Sequence, residues 1–90
     1  MELEEIRKEI DRIDNDILSL LSKRLELMPA VAEYKLQNNL EQKQPNREKK
    51  LLAGKIKLGN KHGLRKEYVK DIFKRVIEES HEVQKEIMKK

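Results

Sequence analysis

Apolar residues recur at Ile6, Ile10, Ile13, Ile17 and Leu20 in alternating steps of four and three, and the register continues through Leu27, Val31 and Tyr34. This spacing predicts an α-helix with a seam-like apolar face, running from about Glu4 to Asn39. At 1.5 Å per residue that helix is about 54 Å long, whereas a compact chain of this size is about 30 Å across. Its own chain cannot cover it. Either the helix breaks, with Pro29 and its missing N–H as the obvious place, or a second copy buries the stripe. The expectation is an intertwined homodimer with a kink at Pro29.

Gln37-Asn38-Asn39 and Glu41 to Gln44 are polar and aperiodic, which predicts a loop, and Pro45-Asn46 punctuates the start of a new helix. That shorter helix is expected from about Asn46 to Leu58, with Leu51, Leu52 and Ile56 inward and Gly59-Asn60 as its left-handed cap. After the turn Lys61-His62-Gly63, a helix from about Lys66 to Met88 places Val69, Ile72, Phe73, Val76, Ile77, Val83 and Ile87 on one side. Nothing in the chain alternates with the period of a strand. The fold class is therefore all-α, with one long, one short and one medium helix in a single domain spanning residues 1–90.

Several polar residues occupy places where the stripe calls for apolar ones. Arg24 lies only about 20° from Ile13, Ile17 and Val31 around the first helix, and Lys35 lies three turns along the same face. On the third helix, Ser80 and Gln84 fall within about 60° and 20° of Ile77. Arg47 and Glu48 flank the apolar side of the second helix at its start. A lone buried charge costs several kcal/mol even after relaxation, on the order of that needed to unfold a marginal protein, so these groups need a partner or a ligand. Any one of them alone reads as a snorkelling cation or a backbone-bonded hydroxyl. Together they describe an enclosed site rich in cations, suited to a small dicarboxylate. Arg7 is about 100° around the helix from Arg24 and cannot serve the same pocket from the same chain, although in a crossed dimer it can reach the partner's pocket.

Composition narrows the chemistry. The chain has 90 residues, no Cys and two His (His62 and His81), which removes disulfides, thiol nucleophiles and zinc centres from consideration. His62 reads as a surface turn residue and His81 as a packing residue. There is no glycine-rich phosphate loop, no nucleotide fingerprint and no assembled Ser-His-Asp set, so the expected chemistry uses no metal, no cofactor and no nucleophile. The acidic start Met-Glu-Leu-Glu-Glu and the lack of a long apolar run point to a soluble cytoplasmic protein without membrane association. Net charge is +4, with +7 between Arg47 and Lys66 and −3 elsewhere. A basic middle can meet nucleic acid, an acidic partner or a small polyanion.

Arg7 in Ile-Arg-Lys-Glu-Ile-Asp, Arg24 in Leu-Leu-Ser-Lys-Arg, Lys35 in Val-Ala-Glu-Tyr-Lys, Arg47-Glu48 before Leu51-Leu52, and Glu79-Ser80 with Gln84 together resemble the all-helical class of chorismate mutases. The resemblance covers essentially the whole chain. It implies an intertwined three-helix homodimer with two active sites, each drawing one arginine from the opposite subunit, that converts chorismate to prephenate on the route to phenylalanine and tyrosine. By this resemblance Arg24 and Arg47 are carboxylate clamps from the home chain and Arg7 is the clamp supplied in trans. Lys35 and Gln84 are donors to the ether oxygen that gains charge as its bond to carbon breaks, Glu48 accepts from the ring hydroxyl, and Ser80 makes a further polar contact. The chain departs from the family pattern at Gln44, where some members carry an aspartate that meets the hydroxyl, and at His81, where an apolar wall residue is common.

Other readings compete with it. An isochorismate-pyruvate lyase can be built on the same fold. The basic middle could instead serve a helical nucleic-acid-binding protein, but that leaves Arg24, Ser80 and Gln84 without a purpose, and Tyr34, Tyr68 and Phe73 form no stacking platform. A purely structural coiled-coil dimer leaves unexplained the polar groups on two separate apolar faces. The expected partners are thus a small-molecule substrate and a second copy of the chain, with no nucleic acid.

Overall fold

In the computed structural model, which describes residues 1–89, the chain forms helices α1 (Leu3–Glu26), α2 (Met28–Gln37), α3 (Pro45–Lys61) and α4 (Lys66–Met88), with no strand among the described residues. The first two are one rod interrupted at Leu27, so the architecture is three helices with the first kinked. The span expected from about Glu4 to Asn39 with a kink at Pro29 corresponds to these two segments, which together run from Leu3 to Gln37. Pro29 explains the break. It has no N–H for the Leu25 carbonyl, and its ring crowds that carbonyl. Just before it the Leu27 N–H bonds to the Arg24 oxygen at 3.2 Å, a tightened i to i−3 turn, and helical bonding resumes with Val31 N–H to Leu27 O at 3.2 Å. Proline thus sits inside the first turn of α2, where a missing donor costs little.

Helix α4 is the centre of the fold, packing against α2 on one side and α3 on the other. The enclosed core is small: Met28, Ala32, Val69 and Ile77, joined by the polar Ser80 and Gln84. α4 begins and ends at the residues its apolar period predicts. Ile72, expected on its inner side, is instead 42% exposed in the single chain.

The rod of α1 reaches the rest of the chain through its last turns, where Leu21, Arg24 and Leu25 face Arg75, Val76 and Glu79 of α4. No residue of α1 is buried, and Ile13 and Leu20 are 52% and 64% exposed. The molecule measures 55 × 24 × 14 Å with a radius of gyration of 16.4 Å, against about 12 Å for a compact chain of this length. The apolar stripe therefore stands uncovered by its own chain, as its length requires. No described helix is long and apolar enough to cross a membrane.

Two helix ends use the same device. Leu64 N–H bonds to Gly59 O at 2.9 Å and Gly63 N–H to Asn60 O at 3.0 Å, closing α3 with glycine at φ 78°. Leu40 N–H bonds to Lys35 O at 2.8 Å, with Asn39 at φ 54° in the equivalent place closing α2. This corrects the expected end of the second helix: Gly59 is inside α3 and buried, and Gly63 is the cap. Glycine is needed at 59 for a different reason, since an added Cβ would lie 2.6 Å from Val69 Cγ2. It lets α3 and α4 approach closely at this point.

Candidate active site

A cavity of about 570 Å³ opens between α2, α3, α4 and the loop that joins α2 to α3. Its size is that of a small-molecule site. Seven of the sequence-predicted residues line it: Arg24, Lys35, Gln44, Arg47, Glu48, Ser80 and Gln84. The eighth, Arg7, lies outside it on α1, with a side chain 61% exposed and paired at 3.1 Å with Glu4 one turn away.

Ser80 and Gln84 are buried one turn apart on α4, at 5% and 4% exposure, and each holds one cation. Ser80 Oγ donates to the carbonyl of Val76 in its own helix at 2.9 Å, so its lone pairs are free to accept, and Arg24 Nη1 donates to it. Lys35 Nζ donates to Gln84 Oε1 at 2.7 Å and also to the main-chain oxygen of Gln42. The oxygen end of the Gln84 amide is thereby occupied. Its NH2 end meets only the Met28 sulfur, at 3.4 Å, a weak acceptor that a better one displaces.

The charges are not balanced within the cavity. Arg24, Lys35 and Arg47 are its cations and Glu48 is the only carboxylate in its lining, leaving two positive charges without a counterion. Burial lowers the Arg24 pKa below its ordinary value, and the neighbouring Arg47 charge lowers it further. Lys35 is also lowered, by burial first, with the Glu48 charge opposing part of the effect. A dianion entering the cavity relieves both penalties by supplying the missing charge.

The loop contributes more than its sequence suggests. Gln42 Nε2 donates to the main-chain oxygen of His81 at 2.9 Å while its own carbonyl receives Lys35, so the loop is pinned between α2 and α4. Gln44 turns its amide toward the Glu41 carbonyl at 3.4 Å. Nothing in the aperiodic stretch marks Gln42 for this role. His81, expected to be a packing residue, instead places Nε2 2.9 Å from Glu48 Oε2 across the cavity wall. The reason is the side-by-side packing of α3 and α4, which brings residues 33 positions apart to adjacent turns.

The arrangement offers hydrogen-bond donors and fixed charge, with no group of three or more His, Asp or Glu residues that could hold a metal ion among the described residues. Its cations and amide donors suit an anionic ligand, and its one carboxylate can accept a hydrogen bond.

Residues 6–85 match the family model described as chorismate mutase type II. Relatives include the bifunctional chorismate mutase/prephenate dehydratase of Buchnera aphidicola subsp. Acyrthosiphon pisum (strain APS), 42% identical over 84 residues, which are 93% of this chain and 22% of that protein. The T-protein of Enterobacter agglomerans is 38% identical over 80 residues, 89% of this chain and 21% of that protein. The chain thus spans about a fifth of the length of these larger relatives. The chorismate mutase of Methanocaldococcus jannaschii is 38% identical over 86 residues, 96% of this chain and 87% of that protein.

Proposed function

The chain belongs to the chorismate mutase type II family, and on that premise we propose that it catalyses the rearrangement of chorismate to prephenate. The observation that carries this reading is the pairing of two buried neutral side chains with two cations, Ser80 with Arg24 and Gln84 with Lys35, in a cavity whose remaining positive charge matches a dicarboxylate.

The reaction is intramolecular. The ether carbon–oxygen bond breaks as a carbon–carbon bond forms within the same molecule, with no atom gained or lost and no proton transferred to the protein. Catalysis then consists of holding the substrate in its compact diaxial form and stabilising the charge that develops on the departing oxygen. Arg24 and Arg47 clamp the carboxylates with the bidentate geometry that guanidinium offers. Lys35 and the Gln84 NH2 donate to the ether oxygen, contacts that strengthen in the transition state and so act on turnover. Glu48 accepts from the ring hydroxyl, with Gln44 also in the cavity lining. Ser80 contributes by fixing Arg24.

The same reading includes a homodimer in which α1 of each chain lies along the other, burying the exposed stripe and bringing Arg7 into the partner's cavity. An isochorismate-pyruvate lyase can be built on the same fold, so product identity is the deciding measurement. Incubation with chorismate, following loss of its absorbance and identifying the product, should give prephenate without release of pyruvate. A folded protein that leaves chorismate unchanged overturns the proposal, and pyruvate release from isochorismate would reassign the site to the lyase.

A further inference from the structure

The pair formed by His81 and Glu48 links α4 to α3 across the cavity wall, with Nε2 and Oε2 2.9 Å apart and side chains 16% and 32% exposed. A carboxylate only accepts, so Nε2 carries the hydrogen of this bond, and the other ring nitrogen is Nδ1. That nitrogen is buried and has no hydrogen-bond partner among the described residues. The ring is thus committed to a single polar contact. Its own turn of α4 is held in turn by the loop, because the His81 carbonyl accepts from Gln42 Nε2.

Glutamate has three rotatable side-chain bonds, and a carboxylate at a cavity edge samples several arrangements unless one oxygen is fixed. Glu48 is the only carboxylate among the described residues that line the cavity. No hydrogen bond among the described residues uses Oε1 of Glu48. We infer that His81 is a positioning residue: by holding Oε2 it presents Oε1 to the ring hydroxyl of the bound substrate. This rests on the proposed function, because it assigns Glu48 to that hydroxyl. It also explains why an imidazole can stand in the cavity wall beside Glu48, at a place where the family resemblance leads one to expect an apolar side chain.

The test is a double-mutant cycle in kcat/KM for chorismate, read together with thermal unfolding. His81→Leu should lower kcat/KM by about tenfold, the worth of one hydrogen bond to a charged group, with the change mainly in KM because the hydroxyl contact is made in ground and transition states alike. In a Glu48→Gln background the same change should alter kcat/KM by less than about twofold. His81→Gln, whose amide reaches about as far as Nε2, should recover most of the loss, whereas the shorter His81→Asn should not. This second pair keeps the comparison valid if leucine disturbs folding. Equal losses in both backgrounds, or glutamine and asparagine variants of equal activity, would make His81 a structural tie and overturn its positioning role alone. A folded parent protein without mutase activity would overturn the proposed function and this role with it.

Discussion

Lys35 Nζ donates to Gln84 Oε1 at 2.7 Å, and the direction of that bond decides which end of the buried amide is free. With its oxygen turned to Lys35, Gln84 directs its NH2 into the space beside Met28, whose sulfur holds that group weakly. A lysine on α2 thus orients a donor on α4.

Replacing Gln84 with glutamate tests that orientation. The introduced carboxylate would still accept from Lys35 but could donate to the ether oxygen only when protonated, and the adjacent cation favours its charged form. Gln84→Glu should lose about 100-fold or more in kcat at about pH 7.5, the scale of removing one transition-state donor, and should recover part of it as pH falls toward about 5. The parent should change little over that range. Circular dichroism across the series confirms that folded protein is being compared. Undiminished activity at neutral pH, or an equal loss at every pH, would show that Gln84 does not donate to the reacting oxygen.

Lys35 predicts an alkaline limit. Its pKa in the folded chain is below the ordinary lysine value of 10.5 because burial disfavours the cation, with Glu48 only partly offsetting this. As pH rises through the lowered value the charged donor is lost, so kcat/KM, which reports the free enzyme, should fall before pH 10.5. The stability contribution has the opposite sign. Between the folded and unfolded pKa values the unfolded chain binds more protons, so deprotonating Lys35 stabilises the fold. Activity should therefore decline while circular dichroism stays unchanged through the same window. Lys35→Arg should move the limit above pH 10.5, at a lower rate, since a guanidinium does not reproduce the position of Nζ. A parent profile flat to that pH would remove Lys35 as the titrating donor.

Ser80→Ala keeps the shape of α4 but removes the acceptor that Arg24 uses. A part-buried guanidinium N–H then lacks its partner, which should cost about 1–2 kcal/mol in urea unfolding and raise KM several-fold while kcat changes less. A variant with unaltered KM would separate Ser80 from the carboxylate clamp.

The polar residues of the cavity are legible in the sequence because they interrupt a regular period. Arg24, Lys35, Ser80 and Gln84 stand at angles where apolar side chains belong, and all four line the cavity. The limits of α4 are legible for a related reason: no glycine or proline lies between Lys66 and Met88 to disturb the pattern. Gly59 misleads because glycine serves two purposes, left-handed backbone and close helix approach, and sequence alone does not say which. The His81 contact depends on where α3 comes to lie against α4, and the Gln42 contacts on where the loop lies between α2 and α4, and no local pattern encodes either.

Gly59 and Gly54 sit in the same helix and should respond to alanine with opposite signs. At 54 nothing lies within 4 Å of an added Cβ, so Gly54→Ala should stabilise by up to about 1 kcal/mol through helix propensity. At 59 the new methyl meets Val69 Cγ2 at 2.6 Å, and overpacking of about 1–3 kcal/mol should outweigh the propensity gain. Urea midpoints of the two variants check the contrast.

Arg7 makes the sharpest claim about assembly. On its own chain it is exposed and paired with Glu4, outside the cavity, while the α1 stripe around it is uncovered. If α1 of a second chain places Arg7 in the cavity, then Arg7→Ala and Arg24→Ala should each be nearly inactive although they damage different chains of one site. A mixed dimer then has one site with both arginines intact and one with neither. With random pairing half the dimers are mixed, so refolding the two variants together should restore about a quarter of parental activity. Light scattering should return about twice the mass of the chain. Heterodimers confirmed by mass but without restored activity would place both arginines in one protomer's site or make one of them structural, and a fully active monomer would remove Arg7 from catalysis altogether.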